Sequence, residues 1–158
     1  MEADYINIMT ESLEKKSGIL ARIIELNRQQ KLLLSDPDLL PEDFEKNVDS
    51  KSALVDQLNL LDSGFEKLFE RVRDTLNAGK EQYAGEIARM QSLIKEITAQ
   101  TNTIQAQEAR NRKDAELKFA NVRSQVKGVR NSQKVVRQYY QNMMKQRNFS
   151  AQVIDNKK

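Results

Sequence analysis

The sequence contains no cysteine, no histidine and no tryptophan. Without thiols and imidazoles there is no disulfide framework, no thiolate nucleophile, no imidazole general base, and no Cys/His set of the kind that holds structural zinc. The serines lack a histidine partner for acyl transfer. Neither a Gly-x-x-x-x-Gly-Lys-Ser/Thr loop nor a Gly-x-Gly-x-x-Gly turn is present to cradle phosphates. These gaps point away from an enzyme, and no cofactor is expected. Two prolines and five glycines in 158 residues are too few for many short elements joined by turns. Such a composition suits long helices that bury a stripe. No run approaches the roughly 20 consecutive apolar residues that span a bilayer, so no membrane insertion is expected. Met1-Glu2-Ala3-Asp4 lacks the basic start and apolar run of a signal peptide, and a cytoplasmic location is expected.

Charge is plentiful but unevenly placed. Residues 1–108 carry 13 Lys and Arg against 20 Asp and Glu, a net of −7; residues 109–158 carry 13 against 3, a net of +10. One part of the chain is acidic and the other basic, a division that favours electrostatic complementarity within the molecule or with a partner.

Apolar residues recur at helical spacing along most of the chain. In the first segment, 5–34, the stripe is Ile6, Met9, Leu13, Leu20, Ile23 and Leu34, interrupted by Lys16 and Asn27. Both prolines lie in residues 35–43, which mark the clearest break. Pro41 suits the first turn of a new helix, and Glu42 and Asp43 sit where they meet its positive end. The second segment, 41–76, alternates steps of three and four through Phe44, Val48, Val55, Leu58, Phe65, Phe69, Val72 and Leu76, with Lys51 and Asp62 as polar exceptions. Leu54, Leu61 and Leu68 widen that face enough for more than one helical neighbour. Asn77-Ala78-Gly79 offers a cap. A third helix is expected over 80–147. It carries Tyr83, Ile87, Met90, Ile94 and Ile97, then a polar stretch over 98–116, then Phe119, Val122, Val126, Val129, Val136, Tyr140 and Met143 after a four-residue stutter. The expected fold is all-α: a single helical domain with a helical hairpin and a long C-terminal helix, in a three- or four-helix, coiled-coil-like bundle.

Lengths suggest a function. At 1.5 Å per residue the three helices span about 45, 54 and 100 Å, so the first two cover about half of the third. Cover is expected to run out in the polar stretch 98–116, leaving the second apolar stripe without an obvious partner. Three outcomes are open: the helix folds back to complete a four-helix bundle, the stripe pairs with a second copy as a homodimer, or it receives a helix from another protein. Met143 and Met144 beside Tyr139 and Tyr140 fit an adaptable binding surface.

Other chemistries weigh less. Asp36, Asp38, Glu42 and Asp43 offer oxygen ligands but have no EF-hand spacing, and helix-start acids account for them. Arg110, Arg112, Lys113, Lys118, Arg123, Lys127, Arg130, Lys134 and Arg137 have the charge to follow phosphates. They are spread around the helix rather than gathered on one side, which disfavours nucleic acid as the partner.

The opening Tyr5-Ile6-Asn7-Ile8-Met9-Thr10-Glu11-Ser12-Leu13, the block Ile104-Gln105-Ala106-Gln107-Glu108-Ala109-Arg110-Asn111, and the run Ser132-Gln133-Lys134-Val135-Val136-Arg137-Gln138-Tyr139-Tyr140 carry a resemblance. Over nearly its whole length the chain resembles the FlgN-type family of flagellar export chaperones. Asn142-Met143-Met144-Lys145 stands where that family often ends in Tyr followed by Lys-Gly. The resemblance implies a cytoplasmic chaperone that binds the C-terminal helices of hook–filament junction proteins, prevents their premature assembly and delivers them to a component of the type III export gate. By matching position it implies a partner-binding region over 129–158, with Val129, Val136, Tyr139, Tyr140 and Met143 as contact residues. The alternatives are a homo-oligomeric coiled-coil scaffold and a basic helical nucleic-acid binder.

Overall fold

A computed structural model describes residues 2–120. Three long helices make up this region: α1 (Glu2–Leu34), α2 (Pro41–Ala78) and α3 (Ala84–Phe119). The protein is an all-α helical bundle. At 33, 38 and 36 residues the helices are nearly equal in length, each about 50–57 Å long.

The first break falls where the prolines place it. Ser35 and Asp36 close α1 through hydrogen bonds to Lys31, Leu32 and Leu33 carbonyls. Leu40 stands extended (φ −85°, ψ 135°) and Pro41 opens α2 with Glu42 and Asp43 in its first turn. This obeys the rule that a residue before proline avoids the helical region. The second break is softer than a left-handed glycine cap. Gly79 has φ −112°, its N–H still bonds Thr75 O at 2.9 Å, and Gly79 O accepts Tyr83 N–H at 2.9 Å. The bend occupies residues 79–83, so the third helix starts at Ala84 and not at 80. The approach at Gly79 is close: a Cβ would sit 3.2 Å from Thr75 O and 3.3 Å from the Tyr83 ring, so a side chain there requires a small shift of its neighbours.

Side-chain bonds between helices fix their directions. Lys16 meets Asp62 and Gln30 meets Asn47, so α1 and α2 run antiparallel. Phe44 meets Phe119 edge-on at 5.3 Å between ring centroids, and Lys51 meets Glu108, so α2 and α3 run antiparallel. It follows that α1 and α3 run parallel. The layout is asymmetric. α1 packs closely against both other helices, whereas no Cα of α2 comes within 8 Å of a Cα of α3. Neighbouring helices normally lie 8–10 Å apart axis to axis, and the diagonal of a square of such helices is about 14 Å. α2 and α3 therefore stand diagonally, with Lys51 meeting Glu108 and Phe44 meeting Phe119 across the centre.

The buried apolar residues form two clusters. The larger runs along all three helices from Ile6, Phe69 and Met90 to Ile23, Leu54 and Ile104. The smaller caps one end with Leu34, Phe44, Val48, Ala115 and Phe119. This overturns the expectation that cover over the third helix fails within residues 98–116. α2 begins at Pro41, so its antiparallel run reaches Phe119, and the polar stretch lies inside the bundle.

Candidate functional site

The five expected contact residues Val129, Val136, Tyr139, Tyr140 and Met143 lie outside the described residues. So do Arg123, Lys127, Arg130, Lys134 and Arg137 of the basic series. Within the described part, Arg112 pairs with Glu116 at 3.2 Å and Lys118 Nζ donates to Asp36 O, which spends two of the cations locally. The acidic group near the first break also has a structural use. Asp36 Oδ1 accepts Asp38 N–H at 2.9 Å, and Glu42 and Asp43 face the start of α2. Among the described residues no group of three or more acidic side chains is placed to hold a metal ion.

The described helices instead converge their polar side chains on a buried belt between the two apolar clusters. Asn27, Gln30, Asn47, Lys51, Glu108 and Asn111 are all buried. Each interruption of an apolar stripe finds a partner on another helix. Asn111 Nδ2 donates to Asn27 O at 2.9 Å and Gln30 Oε1 at 3.2 Å. Gln30 Nε2 donates to Asn47 Oδ1 at 3.0 Å, and Asn47 Nδ2 to Leu26 O at 2.9 Å. Lys51 Nζ lies 2.6 Å from Glu108 Oε1, with side chains 3% and 5% exposed. The approach is off the angle of a hydrogen bond, so among the described residues Lys51 Nζ has no aligned acceptor and the contact is a charge pair.

One edge of α3 forms an amide ladder on α1. Gln100, Gln107 and Asn111 donate to the carbonyls of Ser17, Ile24 and Asn27 at 3.0, 3.2 and 2.9 Å. Those carbonyls already accept helical N–H groups; the second lone pair of each oxygen takes the amide. Both series ascend together, so each rung enforces the same offset between two parallel helices. No short loop sets that offset, because α2 intervenes. The ladder and the belt supply a register that apolar contacts alone would leave degenerate, a role buried polar groups also play in coiled coils. The arrangement has a thermodynamic cost. Asn27 Oδ1 and Asn111 Oδ1 are buried without a donor among the described residues, at about 1–3 kcal/mol each where none is supplied.

A second ion pair lies alongside the large cluster. Lys16 Nζ and Asp62 Oδ1 are 2.9 Å apart, with side chains 4% and 19% exposed. Burial holds the Asp62 carboxyl above its ordinary value, opposed by the charge and hydrogen bond of Lys16 and assisted by Glu66. Burial likewise holds the Lys16 ammonium below its ordinary value, against the pull of Asp62. Desolvation thus outweighs attraction in this pair.

No family model, curated protein or solved structure matches the chain. Among the described residues no helix is long and apolar enough to cross a membrane.

Sequence periodicity identified Lys16, Asn27, Lys51 and Asp62 as interruptions but assigned them no partners. It places Asn111 on the stripe at the stutter but gives no inward role to Gln100, Gln107 and Glu108, which fall in the polar stretch 98–116. A usable signal existed: Ile104, Glu108, Asn111, Ala115 and Phe119 continue the α3 stripe in steps of three and four, and all five are buried.

Proposed function

We propose that the protein is a helical chaperone of the FlgN type. In the cytoplasm it would hold the C-terminal helices of hook–filament junction proteins, keep them unassembled and pass them to the export gate. The observation that supports this reading is the pattern beyond α3. Val122, Val126, Val129, Val136, Tyr140 and Met143 recur at helical spacing in a segment, 121–158, that carries 9 Lys and Arg against 1 Asp or Glu. An apolar stripe flanked by cations suits an amphipathic helix with acidic flanks. Capture would shield about 1,000 Å² or more, the lower size of a specific interface. The reading calls for no catalytic step and no cofactor.

The test is a pull-down with junction subunits carrying or lacking their C-terminal helix. Capture is expected only with that helix, and is expected to be lost in Val136→Asp and Tyr140→Ala. Capture that survives deletion of residues 129–158 would remove the site assignment. A tight dimer indifferent to every such subunit would point to a coiled-coil scaffold. Nucleic-acid affinity falling steeply with salt would point to the basic helical binder.

A further inference from the structure

We propose that residues 79–83 are a hinge through which two copies of the chain exchange α3, each copy straightening α2 and α3 into one continuous helix. The partner is a second copy of this chain, and the inference stands apart from the chaperone reading.

The bend already holds part of a helical ladder. Gly79 N–H bonds Thr75 O, Tyr83 N–H bonds Gly79 O and Ile87 N–H bonds Tyr83 O, each at 2.9 Å and each four residues back. Between these, the N–H groups of Lys80, Glu81 and Gln82 reach no backbone carbonyl among the described residues. A straight helix would give each an acceptor four residues back, at Leu76, Asn77 and Ala78. Gly79 (φ −112°, ψ 36°) and Tyr83 (φ −105°, ψ 21°) lie near the sparsely allowed bridge region. Both have negative φ, so a change in ψ returns them to helix without crossing a forbidden region. Nothing in the sequence stops that. Lys80, Glu81, Gln82 and Ala84 are good helix formers, and no proline interrupts them. The stripe Phe69, Val72, Leu76, Gly79, Tyr83, Ile87, Met90 and Ile94 passes through the hinge in steps of three and four.

The hairpin closed by this bend is not held along its length, since no Cα of α2 lies within 8 Å of one of α3. α3 docks instead on α1, where Gln100, Gln107 and Asn111 donate to α1 carbonyls. Across the diagonal it meets α2 at Lys51 and Phe44. A second copy presents the same α1 and the same α2. Exchange therefore re-forms every one of these contacts between chains and removes only the bend, which is the condition for domain swapping. Each straightened helix, 41–119, would be about 118 Å long. In the closed chain the bend holds α3 beside its own α1 at an effective concentration on the order of millimolar, so exchange is expected at comparable chain concentrations.

The chain has no native cysteine, which allows a direct distance measurement. Gln57 and Asn102 are exposed on α2 and α3, and the Lys51–Glu108 pairing sets them level. Gln57→Cys/Asn102→Cys carries two spin labels, is unfolded and refolded at millimolar concentration with a large excess of unlabelled chain, and its dimer fraction is measured by pulsed dipolar spectroscopy. A closed chain keeps the labels within about 35 Å, because diagonal helices lie about 14 Å apart. A swapped chain sets its own two labels about 68 Å apart. The long distance is expected in the dimer. A dimer that keeps the short distance is an ordinary pairing of closed chains and overturns the proposal, as does the absence of any dimer. Gly79→Ala is the second arm, read by light scattering. Its gain in helix propensity, counted at both hinges, is expected to raise the dimer association constant about thirtyfold. Inserting two glycines between Gly79 and Lys80 is expected to abolish the dimer while the monomer still folds, since lengthening a loop costs little. An association constant unchanged by Gly79→Ala, or a dimer that survives the insertion, refutes the hinge.

Discussion

The Lys51–Glu108 pair separates specificity from stability, and its removal has a calculable result. Both side chains are almost fully buried, at 3% and 5% exposure, and 2.6 Å apart. Taking two ions out of water costs several kcal/mol each, and their attraction largely offsets this only while both are present. Replacing Glu108 by Leu leaves Lys51 buried without a counter-charge, and Lys51→Met does the same to Glu108. Each single substitution is expected to cost about 3–5 kcal/mol. At about 2–4 °C per kcal/mol for a chain of this size, the Tm should fall by about 6–20 °C. The double replacement Lys51→Met/Glu108→Leu removes both penalties and is expected to match or exceed wild-type stability. The chain has no tryptophan, so urea and thermal unfolding are best followed by circular dichroism at 222 nm, with all four members of the cycle at one pH. A Glu108→Leu loss below about 1 kcal/mol would refute the burial argument. A double variant as unstable as the sum of the singles would refute the compensation argument, because the coupling between the two sites would then be zero.

Four other substitutions probe different parts of the bundle. The raised Asp62 carboxyl binds its proton more tightly in the folded than in the unfolded chain, between the ordinary value of 3.8 and its raised value. Its contribution to stability therefore grows as pH falls through that window and is lost as pH rises above it; wild type should gain on Asp62→Asn on acidification, and urea unfolding across the acidic range that shows a flat difference would contradict this. Asn111→Leu removes the donor to Asn27 O and Gln30 Oε1 and should cost about 1–3 kcal/mol in the same unfolding assay. Gly18 and Gly64 lie inside helices with open space where a Cβ would stand, so Gly18→Ala and Gly64→Ala should each stabilise by about 0.5–1 kcal/mol; a Tm decrease in either would show a contact that the helix geometry does not.

Local information decided where this chain turns and which faces it buries. Pro37 and Pro41 remove backbone donors and restrict their neighbours, so the first break is legible from those two residues. The apolar stripes of α1 and α2 are equally legible, because a helix repeats every 3.6 residues whatever it packs against. The second break was less so: Asn77-Ala78-Gly79 offers a cap, and only the folded chain shows that α2 ends at Gly79 with a negative φ and the Tyr83 ring close by. Periodicity names a face and not the residue opposite it, so it could not show that Lys16 answers Asp62 or that Asn111 answers Asn27 from 84 residues away. For the same reason residues 98–116 read as a solvated interval. An amide is polar in water and a structural donor beside a helix carbonyl, and nothing in Gln100, Gln107 or Asn111 alone distinguishes the two. The sequence by itself determined three helices and the apolar faces of α1, α2 and the start of α3, because those follow from interactions within a few residues. Tertiary structure alone decided the parallel register of α1 and α3, the diagonal placement of α2 and α3, and the partner of each buried polar group, because those depend on distances between segments that local chemistry leaves free.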